Sequence, residues 1–271
     1  MATLRIAWRG LGRNTKRTLL AIGAIGLAQT TLVFVNSLMA GTYDQMLQTI
    51  TGPMIGHVQV HHPEWREEQA TDLFVDHLDA ARTELAALPD VTTVAPRLYA
   101  GALAACAEKS DEPAEAEPAM IVGVDIIAES EKGGLLEALP VALRPSGANV
   151  AVGRILANRL KLREGMALAV IGQDVDGFPA SYLFRVGSII DSPVELVKSR
   201  GVVMSIDCAA DFLAMPDQAH EIVVRGSRVD RADALAREAS ALPSLAGMEV
   251  LSWREAAPEF VRMIAMKDWA D

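Results

Sequence analysis

The sequence has few cysteines and lacks the short motifs that mark common enzyme classes. Its two cysteines, Cys106 and Cys208, lie far apart in the sequence, so they could form a disulfide or remain free thiols. Free thiols are favoured. No G-x-x-x-x-G-K-S/T, H-E-x-x-H, G-x-S-x-G or C-x-x-C motif occurs. These absences exclude a P-loop nucleotide site and argue against the common hydrolases and metalloproteases. The sequence predicts no catalytic residue and no cofactor, and a secreted enzyme with an unrecognised site is only a distant alternative.

Basic residues are scarce beyond the N-terminus. Of the 25 lysines and arginines, five precede the first long apolar run, and the other 20 accompany all 35 acidic residues, a balance of −15. An acidic surface repels a phosphate backbone, and no patch of basic and aromatic residues offsets that repulsion. The sequence therefore predicts no nucleic-acid partner.

Only one apolar run is long enough to cross a membrane. Residues 18–40 contain no charged side chain, and a helix of 23 residues extends about 34 Å, compared with ~30 Å for the hydrocarbon core. We expect a transmembrane helix over residues 18–41, in contact with the lipid membrane. A buried core helix and a signal peptide cleaved after Ala40 are the alternatives.

Positive charge lies on one side of this run. Arg13, Lys16 and Arg17 stand directly before it, within a stretch, residues 1–17, that contains no acidic residue. The positive-inside rule predicts that residues 1–17 are a cytoplasmic amphipathic segment and that the domain after the helix lies outside the membrane.

Small residues recur along one side of the predicted helix. Ala21, Ala24, Ala28 and Thr31 follow one another at helical spacing. Small side chains let helix backbones approach closely in lipid, where hydrophobicity does not drive association. The stripe predicts packing against other transmembrane helices, and a lone anchor that merely tolerates small residues is the alternative.

Short strands and helices alternate after the run. The stretch "GHVQVHHPEW" has the two-residue period of a half-buried strand, and "HEIVVRG", a helix over Asp230 to Leu242 and "GMEVLSW" form a β-α-β unit that completes the same sheet. The predicted fold class is α+β, with one N-terminal transmembrane helix and an exterior domain of two subdomains. The predicted boundaries are 42–253 for the exterior domain, 42–128 and 220–253 for its first subdomain, 129–219 for the inserted subdomain, and 254–271 for a C-terminal amphipathic helix.

His57, His61 and His62, with Glu64 close by, form a cluster of residue types that bind metals. Strand alternation places His61 and His62 on opposite faces, while His57 and His61 share a face about 13 Å apart. Zinc needs converging ligands. The sequence therefore predicts exposed strand and loop histidines and no metal site.

Several motifs, in order along the chain, resemble one family. Arg13, Asn14, Arg17, Thr18 and Leu19 resemble the Arg-Asn and Arg-Thr-Leu pattern that leads into the first transmembrane helix of ABC transporter permeases of the FtsX/MacB/LolC-LolE superfamily. Further similar stretches are "GPMIGHVQV", "VTTVAPRLYAGALA" with its Pro-Arg, "IVGVDIIAES", "VAVGRILANRLKLREGMALAV", "FRVGSIIDS" and "LSWREAAPEF". In the fourth of these, Met166 stands where the family usually has aspartate.

The resemblance implies a MacB-like periplasmic core domain and a permease without enzyme activity of its own. It further implies a cell inner membrane location, a separate cytoplasmic ABC ATPase, and a sister permease or homodimer. The cargo or partner would be a lipoprotein, for Lol-like release, or a periplasmic adaptor, for MacB-like export. The family's three C-terminal membrane helices are not in this sequence, so we expect a part of such a permease. A single-span anchored periplasmic interaction module without a transport role is the alternative.

Overall fold

A computed structural model of the chain describes residues 15–49, 53–108, 115–259 and 261–262. The chain divides into two compact units, Met1–Leu47 and Gln48–Asp271. Arg13 and most of the predicted segment 1–17 lie outside the described residues, as does much of the predicted C-terminal helix 254–271.

The described part of the first unit is one long helix, α1, Thr15–Thr49. Its segment Thr15–Met39 is long and apolar enough to cross a membrane, judged by length and composition. The large apolar side chains between Leu19 and Met39 are 43% to 74% exposed, and Lys16 and Arg17 at the start of the helix are exposed as well. A core helix of a globular body would bury most of those apolar side chains, so their exposure favours the membrane helix.

The predicted small-residue stripe lies on α1. Ala21, Ala24, Ala28 and Thr31 are all exposed. The Thr31 hydroxyl donates to the Leu27 carbonyl oxygen at 2.9 Å, which satisfies it within its own helix. The small side chains of the stripe would therefore allow a neighbouring helix to approach closely. The Thr31 hydroxyl does not need a hydrogen-bond partner on that helix.

The second unit mixes strands and short helices. Its strands are β1 (Val58–His61), β2 (Val91–Cys106), β3 (Ala116–Val124), β4 (Asn149–Gly153), β5 (Ala167–Gln173), β6 (Pro179–Ile190), β7 (Gly201–Ser205), β8 (Glu221–Gly226) and β9 (Glu249–Ser252). Its α-helices are α2 (Trp65–Glu68), α3 (Leu78–Ala86), α4 (Arg154–Arg159), α5 (Glu195–Arg200), α6 (Ile206–Leu213), α7 (Ala232–Ser240) and α8 (Trp253–Ala256). The α+β class is confirmed.

Four strands form a sheet of two interlocked β-α-β units. Their order is β2-β8-β1-β9, and each neighbouring pair is antiparallel. Consequently β1 and β2, which are joined through α3, run parallel, and β8 lies between them. In the same way β8 and β9, which are joined through α7, run parallel, and β1 lies between them. This is a split β-α-β arrangement. The predicted β-α-β unit that completes the sheet of "GHVQVHH" is confirmed.

Both helices of this sheet cover the same face. Val58 and Val60 of β1, with Ile222 and Val224 of β8, pack with side chains of α3 and α7 into one core. These four residues are fully buried, because alternate positions of each strand point to the helix-covered face.

Six strands close into a ring in the remainder of the unit. The pairing runs β3-β7-β4-β6-β5-β2, and β2 pairs again with β3. Two of the contacts, β3 with β7 and β4 with β6, are parallel. One set of alternating residues, including Ile121, Val152 and Phe184, forms a core with α4 and α6, and the other packs with α5.

Strand β2 belongs to both arrangements. Its residues from Val91 to Arg97 pair with β8, and those from Ala102 to Cys106 pair with β5 along the same edge. The opposite edge pairs with β3, which the sequence placed in the first subdomain but which hydrogen-bonds within the ring. The predicted division at residues 128 and 219 stays a prediction.

Candidate functional site

The candidate site lies on the face of the four-stranded sheet that α3 and α7 do not cover. The register places His61 of β1 opposite Glu221 of β8, and Glu221 opposite Arg97 of β2. Three polar side chains therefore stand in one row across three strands. All three are buried, with His61 only 1% exposed and Arg97 only 2%.

This row corrects the prediction that the histidines of "GHVQVHH" are exposed. His57 and His61 are both buried, and so is Gln59 between them. The alternating pattern was correct, but other parts of the chain cover the second face as well as the first. Among the described residues no group of three histidine, cysteine, aspartate or glutamate side chains is arranged to hold a metal ion.

Arg97 is the centre of the site. Its Nε donates to Oε1 of Glu129 at 2.6 Å, Nη2 donates to the Pro53 carbonyl oxygen at 2.7 Å, and Nη1 donates to the Met54 carbonyl oxygen at 3.0 Å. Pro53 and Met54 come shortly after α1 ends at Thr49 in the sequence. One buried guanidinium thus holds the backbone of Pro53 and Met54 against β2.

Glu129 is shared by two arginines. Its side chain is fully buried, and besides Arg97 it pairs with Nη2 of Arg225 at 2.5 Å and accepts from the Leu135 amide at 2.8 Å. Arg225 also donates to the Ala128 carbonyl oxygen at 3.1 Å. A buried carboxylate with this many donors is well satisfied as an anion, and removing either partner would leave a charge without compensation.

Glu221 forms the second half of the network. Its carboxylate accepts hydrogen bonds from Gln59 Nε2 and from the Tyr99 hydroxyl, the latter at 2.8 Å, and lies 3.8 Å from Nη1 of Arg97. Burial acts to lower the pKa of Arg97, but the charges around it, Glu129 first, outweigh that effect and raise it, so the guanidinium stays charged. Burial, and then Glu221, raise the pKa of Tyr99, so its hydroxyl stays protonated and donates.

Aromatic rings border the network. Trp65 stacks on His220 with ring centroids 4.3 Å apart and planes 3° apart, and on Tyr99 at 6.2 Å. His220 Nδ1 accepts from the Tyr99 amide at 2.9 Å, and its Nε2 lies 3.1 Å from the Thr71 carbonyl oxygen. These contacts fix the His220 ring as neutral with the proton on Nε2.

A cleft of about 500 Å³ opens against these residues. Its polar wall includes Gln59, His61, Arg97, Tyr99 and Glu221. Its remaining wall is mostly apolar and includes Met54, Ile55, Met120, Val122, Leu135, Val194, Leu196, Val197, Ala256 and Ala257, while the exposed side chains of Arg66, Gln69 and Glu259 also line it. A cleft of this size, with apolar walls and a few polar groups, is typical of small-molecule sites.

A second arginine, Arg66, holds helix α8 at the same cleft. Nη2 of Arg66, on α2, donates to the Ala256 carbonyl oxygen of α8 at 2.6 Å. Helix α8 begins with a capping box in which Ser252 and Glu255 bond each other's backbone amides, so its position is fixed locally. The backbone at Pro53 and Met54 and the backbone of α8 therefore both meet arginine side chains at one cleft.

We expect the two buried histidines that accept backbone hydrogen bonds to destabilise the fold on acidification. The Gly226 amide donates to His57 Nδ1 at 2.6 Å, and burial, then Arg225, lower the pKa of His57 below 6.5. Burial likewise lowers the pKa of His220. Because the unfolded chain binds more protons below about pH 6.5, the free energy of unfolding should fall there by up to about 1.4 kcal/mol per pH unit for each histidine.

Guanidinium unfolding of the full chain in mild detergent, followed by tryptophan fluorescence from about pH 7.5 to about pH 5.5, measures this slope. The variant His220→Gln should flatten it, whereas His77→Asn, at an exposed position with positive φ that asparagine tolerates, should not. An unfolding free energy independent of pH over this window would contradict the expectation.

The structure brings none of the predicted site residues into this cleft. Ala21, Ala24, Ala28, Thr31, Lys16 and Arg17 lie on α1, and Arg13 lies outside the described residues. Cys106 and Cys208 are free and half-buried, and burial, then Asp211, raise the pKa of the Cys208 thiol. Arg97 was visible only as part of a Pro-Arg motif, although an arginine within the apolar strand "VTTVAPRLYAGALA" is itself a sign of a buried charge that needs partners.

The described chain thus contains a membrane-length apolar helix and an α+β body with a split β-α-β sheet and a strand ring. A family model described as the MacB-like periplasmic core domain matches residues 18–242. The chain belongs to this family, the periplasmic core domains of ABC-transporter-type permeases.

Solved structures of two transporter domains are similar to this chain. The periplasmic region of MacB from Actinobacillus actinomycetemcomitans is similar with a TM-score of 0.51 and 11% sequence identity, over 76% of this chain and 93% of that chain. The extracellular domain of the noncanonic ABC-type transporter YknZ from Gram-positive bacteria has a TM-score of 0.46 and 10% identity, over 72% of this chain and 99% of that chain. A search of curated proteins finds no match.

Proposed function

We propose that this chain is a permease subunit, or part of one, whose exterior domain moves in response to ATP hydrolysis by a separate cytoplasmic ABC ATPase. The observation that carries the proposal is the extent of the family match, which begins in the apolar helix at residue 18 and continues through β8 and α7. The transported cargo would be a lipoprotein released from the membrane, as in Lol-like systems, or a substrate passed to a periplasmic adaptor, as in MacB-like export. The helix would cross the cell inner membrane with its N-terminus in the cytoplasm.

The geometry of the cleft supports a role in coupling. Arg97 binds the backbone that follows α1, and Arg66 binds the backbone of α8. A displacement of either segment would act directly on a charged hydrogen bond at the sheet rather than on a flexible loop. Strong, directional contacts at these points are what the transfer of a helix movement to the body requires.

We propose that the stripe on α1 packs against a sister permease or a second copy of the chain. Ala21, Ala24 and Ala28 would allow close contact, and Thr31 adds a small side chain without an unsatisfied hydroxyl. The positive flank of Lys16 and Arg17, with Arg13, would hold the helix in its orientation.

Purification of the tagged chain from the cells that make it, in mild detergent, tests the permease proposal. We expect an ATPase with a P-loop motif to co-purify in about equal amount, because the proposed subunit has no nucleotide motif of its own. A second, differently tagged copy or a sister permease should co-purify too, and Ala24→Leu should weaken that association more than the matched change Ile25→Leu.

Purification without any P-loop ATPase would contradict the transport role. It would favour the alternative of a single-span anchored interaction module. Mass spectrometry of the purified sample identifies the partners in either case.

A further inference from the structure

The cleft contains one buried polar atom without a partner. His61 lines the cleft, and among the described side chains its Nε2 is buried without a hydrogen bond. Its Nδ1 lies 3.0 Å from the His62 carbonyl oxygen, which can only accept, so Nδ1 carries the proton in the neutral ring. Nε2 is then a free acceptor. A buried acceptor without a donor is costly, and a bound ligand is one way to satisfy it.

The other buried polar groups of the wall are engaged with one another. Gln59 and Tyr99 donate to Glu221, and Arg97 is held by Glu129 and by backbone carbonyl oxygens. The buried wall therefore offers no uncompensated cation for a carboxylate or a phosphate. What remains for a ligand is one buried acceptor, an extended apolar surface and the exposed side chains of Arg66, Gln69 and Glu259.

We propose that the cleft binds an uncharged amphiphile, an alkyl or acyl chain whose head group donates a hydrogen bond to Nε2 of His61. Met54, Met120, Leu135, Val194 and Leu196 would contact the chain. A volume of about 500 Å³ is within the range of sites that enclose ligands of this size. Methionine side chains in two places suit a flexible hydrocarbon, because their thioethers adapt to irregular shapes.

A peptide fits this wall less well. Each peptide unit brings a carbonyl oxygen as well as an N–H group, and the donors of the buried wall are already used. An anionic lipid head would meet two carboxylates, Glu221 and Glu259, and the exposed cation Arg66 already donates to the Ala256 carbonyl oxygen. An uncharged hydroxyl head donates to the single acceptor and brings neither a charge nor a carbonyl oxygen to the buried wall.

This inference rests on the proposed function only for the role of such a molecule as cargo. Binding itself is measured without an ATPase. Failure to capture an ATPase and failure to bind the amphiphile are therefore separate results.

Photo-crosslinking of the full chain in lipid nanodiscs tests the proposal. The probe is a dodecanol that carries a diazirine on its alkyl chain, and mass spectrometry locates the labelled residues. We expect labelling at cleft residues such as Met120, Leu135 and Leu196. Unlabelled dodecanol should compete about tenfold better than dodecyl methyl ether, which has the same chain length and no donor.

Two variants separate the head-group contact from the apolar contact. His61→Phe keeps a ring but removes the acceptor, so the alcohol and the ether should compete equally. Leu196→Trp should fill the cleft from its rim and abolish the labelling, whereas Leu143→Trp, at a leucine of similar exposure (36% against 39%) outside the cleft, should not. Three results would overturn the proposal. They are labelling outside the cleft, labelling that persists unchanged in Leu196→Trp, and equal displacement by the alcohol and the ether in the natural chain.

Discussion

Replacing Arg97 with leucine is expected to lower the free energy of unfolding by about 3–5 kcal/mol, the usual cost of breaking a buried ion pair by removing one partner. Glu129 would stay fully buried with only Arg225 as its cation, and the carbonyl oxygens of Pro53 and Met54 would lose their donors. Denaturant unfolding followed by tryptophan fluorescence measures the loss.

A matched arginine provides the control. Arg228 pairs with Asp230 at the surface, where both side chains are more than half exposed. Exposed pairs are screened by water and salt, so Arg228→Leu should leave the unfolding transition almost unchanged. If Arg97→Leu and Arg228→Leu unfold at the same denaturant concentration, the buried network does not contribute the expected free energy of unfolding.

The double change of Arg97→Leu with Glu129→Leu separates charge from packing. Removal of both charges deletes the uncompensated anion, so part of the lost stability should return. Arg225 would then lack its carboxylate, which sets a limit to the recovery. No recovery at all would indicate that the carbonyl contacts, rather than the ion pair, carry the effect.

Replacing Gly153 with alanine is the second large change, with an expected loss of about 1–3 kcal/mol. Gly153 ends β4 with φ near −59°, so its backbone suits any residue and the cost is steric. An added Cβ would lie 2.1 Å from the Val197 carbonyl oxygen and 2.6 Å from that of Lys198. Relief of these contacts would require α5 to shift as a whole.

Gly101 is the matched control for this prediction. It lies on β2, where an added Cβ would meet no atom within 4 Å. Gly101→Ala should leave stability unchanged or raise it slightly, because alanine restricts the unfolded chain. Thermal unfolding of both variants gives the comparison, and equal midpoints would show that α5 yields easily.

Local patterns predicted those elements whose signal is local. The apolar run of α1 and the alternation of β1, β8 and β9 were visible because each is set by a few neighbouring residues. The ring was not visible. Its parallel contacts join β3 to β7 and β4 to β6 across long stretches of chain, and apolar strands do not specify their neighbours.

The site escaped sequence analysis for a related reason. Alternation in "GHVQVHH" separates two faces, but it does not tell whether water or protein covers the polar one. Here His61 and Gln59 meet Glu221 and the cleft, and residues that lie far along the chain, Arg97 and Glu129, complete the network. A polar strand face is read as solvated by default, since most such faces are.

The passage of β2 through both parts of the body has a mechanical consequence. Strand β2 is 16 residues long and reaches about 50 Å at ~3.3 Å per residue, with one irregularity in its pairing to β8 between Val91 and Thr93. A pull on the backbone held by Arg97 would load this strand along its length, so the hydrogen bonds to β8, β3 and β5 would resist together in shear rather than open one after another. The four-stranded sheet and the ring would then move together, because β2 belongs to both.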